Sequence, residues 1–435
     1  MDILSIAAQM ILSLSLLVVL HECGHFFPAK WFKTRVEKFY LFFNPGFSLF
    51  KKQIGETEYG IGWVPFGGYV KISGMIDESM DKEQMAGEPQ PWEFRSKKAW
   101  QRLIIMIGGV TVNFILGILI FAGIYWYFGE TYLKSKELSY GVVVSELGEG
   151  LGIQDGDKVI AIGDLELDKH APGRVKQELI IENPKSITVE RGGAEIMLPV
   201  PGGMAKTLTK RENKDVKLFE ARFPQKVVDI AEGTPADKAG LMADDRVIGV
   251  DGVSTPYFHV FRKEIAGKAD TAMNLMVLRN GTDTLKKTLQ LDKKGRLGIN
   301  SGLAPTFFPV YKQKYGFWES IPLGAQKSVN FLGGQLKAFK KMFSGEIKAT
   351  DSLGSVFSIA NMFDPAWDWE QFWFITGMLS ILLAFFNLLP IPALDGGYVM
   401  FLIWEVITGR KPSDKVMEYA TLVGFVLLIG LMIFA

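Results

Sequence analysis

His21-Glu22-Cys23-Gly24-His25 closes an apolar run, Ile3 to Leu20, that carries no charge. On a helix, positions i and i+4 share a face, so His21 and His25 can grip one metal ion. Glu22 then stands beside that metal, where it can take a proton from the metal's water. Ionisable groups at membrane depth are costly and usually functional. An HExxH pattern at the edge of a membrane span therefore predicts a protease that cuts peptide bonds inside or beside the bilayer.

The rest of the composition supports a membrane setting. Across 435 residues, 48 Lys and Arg stand against 47 Asp and Glu, so no nucleic-acid footprint is present. Mean hydropathy is only mildly positive because the apolar residues are gathered into a few segments, which implies a membrane protein with a sizeable soluble part. Cys23 is the only cysteine, which excludes an intramolecular disulfide. The histidines are His21, His25, His170 and His259, and two of the four fall in one motif. The first apolar run lacks a basic start and a small-residue cleavage site, and its removal would discard the motif, so it reads as a span and not as a signal peptide.

Four segments are apolar and long enough to cross a bilayer, which takes roughly 17–25 residues. They are Ile3–Leu20, Leu103–Phe128, Phe372–Leu389 and Tyr419–Ala435. Lys30, Lys33, Arg35 and Lys38 follow the first; Arg95, Lys97, Lys98 and Arg102 precede the second; Arg410, Lys411 and Lys415 separate the last two. The positive-inside rule makes these loops cytoplasmic, with both termini and the long segment 129–371 outside. Asp364 and Asp368, just before the third span, agree with an outer position. The motif then lies near the cytoplasmic face.

The outer segment contains an internal repeat. Ile153–Asp164 reads IQDGDKVIAIGD and Leu241–Gly252 reads LMADDRVIGVDG, each a polar turn, a short β-rich run and a second turn. Gly233-Thr234-Pro235-Ala236 and Ala239-Gly240-Leu241 precede the second copy, and the combined string resembles the binding-groove region of PDZ domains. Farther on, Ala325, Val329, Leu332, Leu336, Phe339 and Phe343 follow a helical period beside Lys327, Lys337, Lys340 and Lys341. Such a helix lies on the membrane surface or packs on the soluble domains, and Gly333 and Gly334 weaken it in either place.

A catalytic zinc takes three protein ligands and keeps one position open. HExxH supplies two, and the remaining histidines belong to the outer segment. The best third candidate is Asp395, in Asn387-Leu388-Leu389-Pro390-Ile391-Pro392-Ala393-Leu394-Asp395-Gly396-Gly397 at the cytoplasmic end of the third span. Pro390 and Pro392 break the helix, and Gly396 and Gly397 permit tight backbone geometry. A broken helix is tolerated at membrane depth where it lines a cavity. An ordinary Asp-Gly-Gly turn leading to the next helix is the alternative. Cys23 points about 200° around the helix from His21, which suits packing and not ligation. His170 and His259 read as surface residues, and Pro28 as the residue that ends or bends the first helix soon after the motif.

HExxH in the first span, NxxPxPxLDG in the third and an inserted PDZ region together resemble the site-2 protease family of zinc intramembrane metalloproteases. The resemblance implies a multi-pass α-helical membrane protein: four transmembrane helices, a membrane-associated β-hairpin and two inserted β-rich PDZ domains. The plan is 1–130 for the first two spans, HExxH and the hairpin region; 131–205 and 206–305 for the PDZ domains; 306–371 for the amphipathic segment; and 372–435 for the last two spans. It further implies one Zn2+ per chain on His21, His25 and Asp395, Glu22 as the base of a zinc metalloendopeptidase, and Asn387 holding substrate near the metal. Pro390 and Pro392, and Gly67, Gly68 and Tyr69 of the hairpin string Pro65–Lys71, join the implied substrate-binding set. An edge strand at Tyr59–Val64 or Gly68–Ile72 would pair with an unwound substrate by strand addition. The implied substrates are single-span membrane proteins already trimmed outside the membrane, of the anti-sigma factor type, and remnant signal peptides. The implied location is the bacterial cytoplasmic (inner) membrane, with the PDZ domains on the periplasmic side. The family often carries Gly-Pro-x-x-Asn in its second span; here Val110 replaces the proline, and Asn113 is retained without a clear role. A non-catalytic membrane scaffold that binds peptide C-termini is the alternative function. A transporter would show an inverted repeat among its spans, and none is visible.

Overall fold

The computed structural model describes residues 2–75, 87–352, 356–392 and 394–434. Ala393 of the predicted loop motif and Ala435 of the predicted fourth span lie outside the described residues. The chain forms two compact units, Met1–Gly129 with Lys314–Lys340 and Leu353–Ala435, and Glu130–Gln313 with Lys341–Ser352.

The first unit is built on apolar helices. Three among the described residues are long and apolar enough to cross a membrane: α1 (Asp2–Trp31), α2 (Ala99–Tyr127) and α4 (Trp369–Leu388). Between the last two in sequence runs α3 (Phe317–Phe343), which stays continuous through Gly333 and Gly334. Two helices follow α4. The first, α5 (Asp395–Thr408), spans only about 21 Å at about 1.5 Å per residue. The second, α6 (Asp414–Phe434), covers the predicted fourth span. Asp368 caps α4 by accepting from the backbone N–H groups of Glu370 and Gln371.

Small residues let the helices approach. On α1 the buried stripe runs Gln9, Ser13, Leu17, His21, Gly24, His25 and Ala29, the spacing of one helical face. A Cβ on Gly24 would stand 2.7 Å from the Cα of Gly109 on α2, and one on Gly108 would collide with the Gly24 carbonyl. Pro28 has no N–H for that carbonyl, yet the helix does not end there. It continues to Trp31, with Phe32 N–H bonded to Pro28 O at 2.9 Å and Lys33 turning into positive φ (56°). The predicted stop thus comes about a turn later than expected. The α2–α4 seam repeats the device, with Gly117 under Ile381 and Gly377 under Phe121. Buried polar pairs add to it: Thr376 Oγ1 to Ser13 Oγ (2.9 Å), Ser380 Oγ to the Asn113 carbonyl (2.7 Å) and Gln9 Nε2 to the Asp364 carbonyl (2.7 Å). The amphipathic helix α3 also leans on these helices, its Gly324 against Ile118 and Ala122 of α2.

Between α1 and α2 the chain forms a mixed sheet of β1 (Val36–Phe43), β2 (Phe50–Ile54), β3 (Thr57–Ile61) and β4 (Val64–Ile72). The order is β2-β3-β1-β4, with β1 parallel to β3 and antiparallel to β4. This corrects two expectations. The element is a four-stranded sheet and not a lone hairpin, and Tyr59–Val64 offers no edge, because β1 inserts beside β3. The outer strands are β2 and β4, and β4 packs on α1, where a Cβ on Gly68 would meet Val18 at 2.6 Å.

The second unit holds two similar sheets. Residues 158–162, 165–166, 186–191 and 194–199 form one, and 246–250, 253–254, 272–279 and 283–290 form the other, with the same strand order. In the first, Arg191 binds Asp157 and the Gly152 carbonyl, while Asp157 accepts from the Gln154 N–H. In the second, Arg279, Asp245, Gly240 and Met242 do the same at one constant offset. Each sheet has its own apolar core, around Val159, Ile187 and Leu179 in one and Val247, Leu275 and Phe261 in the other. His170 and His259, expected at the surface, are half-buried, and neither joins the cluster of possible metal ligands among the described residues. His259 faces Asp155 at 3.3 Å, and His170 packs against the Phe219 ring. Burial pushes the His170 imidazole down to about 4, with Glu220 opposing weakly.

Between pH about 6.5 and 4 the unfolded chain therefore binds a proton at His170 that the folded chain refuses. Stability of the second unit is fully supported above the unfolded value and falls as the pH drops through this window. Urea unfolding of the intact protein, followed by hydrogen exchange at Val175 and Phe219, will show a steeper loss from pH 7 to pH 5 in the wild type than in His170→Gln.

Candidate metal centre

Three acceptor atoms converge in the first unit. His21 Nε2 lies 3.3 Å from His25 Nε2, and the Asp395 Oδ2 lies 3.3 Å from each. His21 and His25 come from the buried stripe of α1, and Asp395 is the first residue of α5. Donor atoms about 2.0–2.1 Å from a tetrahedral zinc stand about 3.3–3.4 Å apart, the spacing of this triangle. The chemistry agrees with the spacing. His25 Nδ1 sits 2.9 Å from the Ile105 carbonyl, which can only accept, so Nδ1 carries the proton and Nε2 presents a lone pair. Asp395 Oδ2 is buried without a hydrogen-bond partner among the described residues. Lone pairs packed this closely repel one another unless a cation lies among them, and the donor set fits zinc.

Glycines make the room. A Cβ on Gly109 would collide with His25 Nε2 and stand 2.7 Å from His21 Cε1, so only glycine lets both rings nest on α2. Gly396 and Gly397 do not form the ordinary turn of the alternative reading, and they permit the expected tight backbone geometry. They belong to the first turn of α5, where a Cβ on Gly396 would meet the Leu388 carbonyl at 2.5 Å and one on Gly397 the Pro392 Cα at 2.5 Å. Between α4 and α5 the described residues Leu389–Pro392 and Leu394 are non-helical and fold back on the start of α5, with Leu394 N–H to Ile391 O (3.0 Å) and Gly397 N–H to Leu394 O (3.0 Å). Asp395 thereby reaches the histidines.

The neighbouring residues divide. Glu22 lies within electrostatic range of all three donors, and its carboxylate accepts from the Val70 N–H of β4. Asn387 Nδ2 stands 3.3 Å from His21 Nε2. Gly68 lies against Glu22 and Val18 of α1. Tyr69 turns away, stacked on Tyr40 at 5.3 Å with its hydroxyl on Asn44 Oδ1 (2.9 Å), and Gly67 lies beside Phe43 at φ +71°. Pro390 and Pro392 shape the break, and Pro390 is exposed. Cys23 is partly buried and stands outside the triangle. The sequence reading missed Gly109, the Ile105 carbonyl and Ser380. A glycine in an apolar run could have flagged the first, and nothing in the sequence marks the other two.

Gly109→Ala drives a methyl group into the ring nitrogen of His25. Metal analysis of the purified variant should find zinc per chain well below that of the wild type, while Gly123→Ala, whose Cβ would meet nothing within 4 Å, should leave it unchanged.

Comparison with known proteins points the same way. The regulator of sigma-E protease RseP of Escherichia coli is 26% identical over 443 residues, covering 98% of this chain and 96% of its own. A Rickettsia conorii protein named "Putative zinc metalloprotease RC0203" is 26% identical over 434 residues, covering 98% and 95%. The protease RseP of Yersinia pestis is 26% identical over 453 residues, covering 99% and 97%. The model of peptidase family M50 matches residues 9–431, nearly the full length. The chain therefore belongs to peptidase family M50 and is a zinc-dependent membrane metalloprotease of the site-2 type.

Proposed function

We propose that the protein hydrolyses peptide bonds of single-span membrane proteins already trimmed outside the membrane, of the anti-sigma factor type, together with remnant signal peptides. The name regulator of sigma-E protease, carried by relatives that match across the whole chain, supports this substrate class. The observation that carries the catalytic reading is the 3.3 Å triangle of His21, His25 and Asp395 beside Glu22 and the outer strand β4.

In this reading His21, His25 and Asp395 hold the zinc. When bound, zinc acidifies water and stabilises negative charge developing on the scissile carbonyl oxygen. Glu22 takes the proton of the attacking water and returns it to the leaving amine. Val70, by donating to the Glu22 carboxylate, holds it toward the site. Asn387 reaches the same corner through an amide that can bind a substrate carbonyl. A transmembrane helix hides its carbonyls in its own hydrogen bonds, so it must unwind before attack. The freed backbone groups need partners in a dry setting, and strand addition along β4 supplies them. Gly67, Gly68 and Tyr69 act here through backbone, which suits a stretch whose one large side chain is committed to Tyr40 and Asn44.

The membrane arrangement follows the charge pattern: four spans, with Tyr419–Ala435 as the last, the active site near the cytoplasmic face of the inner membrane and the second unit outside. The two sheets of that unit are PDZ domains. Their matching strand order and their matching Arg–Asp clamps support a duplicated module, and the string Gly233–Leu241 supports its type. As a pair they admit only trimmed substrates.

Glu22→Gln should reduce cleavage of a model transmembrane segment by at least about a hundredfold, a typical share for one acid–base group, with zinc retained. Full activity in that variant sinks the assignment. Asp395→Asn should lose zinc, and unchanged metal content removes Asp395 from the ligand set. Deleting Gly141–Leu291 should let untrimmed substrate be cut, and continued exclusion argues against the filter.

A further inference from the structure

We infer that Asn113 is the positioning residue that fixes His21 for the metal, its side-chain carbonyl accepting the Nδ1 proton of that ring. The inference rests on the reading of His21 as a zinc ligand. It starts from an asymmetry between the two histidines. Both turn Nε2 toward Asp395 and both turn Nδ1 toward α2. His25 Nδ1 meets a backbone carbonyl, which sets its tautomer. His21 Nδ1 meets no backbone carbonyl among the described residues. The atom beside it, at 3.0 Å, belongs to the amide of Asn113.

Asn113 is fully buried, and its Oδ1 has no hydrogen-bond partner among the described residues. A neutral imidazole carries one proton. If Nε2 is to offer a lone pair, that proton sits on Nδ1 and needs an acceptor. The amide nitrogen cannot serve. The amide oxygen can, and a 180° rotation about the side-chain bond exchanges the two ends at no cost in space. One rotation gives His21 its acceptor and gives the orphaned oxygen its donor. The opposite arrangement, with Nδ2 donating to a bare Nδ1, puts the proton on Nε2 and leaves His21 unable to ligate.

The backbone around Asn113 is held for this purpose. Ser380 Oγ donates to the Asn113 carbonyl at 2.7 Å across the α2–α4 seam, where both residues are fully buried. Gly109, one turn earlier, lies flat beneath both rings. Partners of this kind set a ring's tautomer and orientation, and losing one typically weakens metal binding about 10–100-fold.

The test uses the full chain in detergent, stripped of metal and titrated with zinc against a chromophoric chelator. Asn113→Leu keeps the volume and removes the acceptor, and should weaken zinc about 10–100-fold. Asn113→Asp keeps an acceptor and should bind close to wild type. Asn113→Ala, which adds no bulk, carries the same expectation as leucine should leucine overfill the site. A purely structural role predicts a different pattern, with aspartate as damaging as alanine, and that result overturns the assignment. So does wild-type affinity in the leucine or alanine variant. His21→Ala is the control. If it keeps wild-type zinc affinity, the ligand reading itself fails and the assignment with it. If it loses zinc while the Asn113 variants do not, only the role of Asn113 fails.

Discussion

The backbone contact of Gly24 on α1 with Gly108 and Gly109 on α2 is the constraint from which the rest of the first unit follows. Lipid offers helices no hydrophobic reward for pairing, so they associate by close packing and by hydrogen bonds, and small residues permit both. At this crossing the helices touch without intervening side chains. The His21 and His25 rings then lie against α2 itself, near enough for its Ile105 carbonyl and its Asn113 amide to meet the two Nδ1 atoms. Any larger residue at the crossing would lift α1 away, and the rings would lose these partners before they lost each other. The α2–α4 seam extends the same logic, and α4 leads through its break to Asp395.

The chemistry of the centre was more legible in the sequence than the means of holding it. The i, i+4 histidines needed only helical periodicity, and Asp395 stood out as a carboxylate beyond a helix broken by prolines. Its neighbours were harder. Gly396 and Gly397 look like a turn, yet they are helical and are glycine because the Leu388–Pro392 backbone crosses against them. Pro28 looks like a stop, yet the carbonyl it leaves unbonded faces Gly108, at the crossing itself. Strand order in the sheet is a non-local property. The run Val36–Phe43 gives no local sign that it will insert beside Thr57–Ile61 and make the latter interior.

The second unit was legible in its repetition and less so in its histidines. An Asp at the end of a polar turn and an Arg at the end of a later strand recur in both copies. In each they close the same loop by a forked ion pair with the acid almost wholly buried. Such pairs owe their strength to geometry more than to charge, because the carboxylate also caps a backbone N–H in the turn it closes. His170 shows what single-sequence reading misses: a polar residue in a polar stretch, held neutral by burial in a pocket that includes Phe219, about fifty residues further along the chain.

The three converging acceptors also bear on how the protein is made. Two of them leave the ribosome within the first helix, and the third lies near the far end of the chain, after the entire second unit. The cluster cannot exist until residue 395 has been synthesised and α5 has docked. A nascent chain with only its first two helices inserted therefore holds two of the three acceptors.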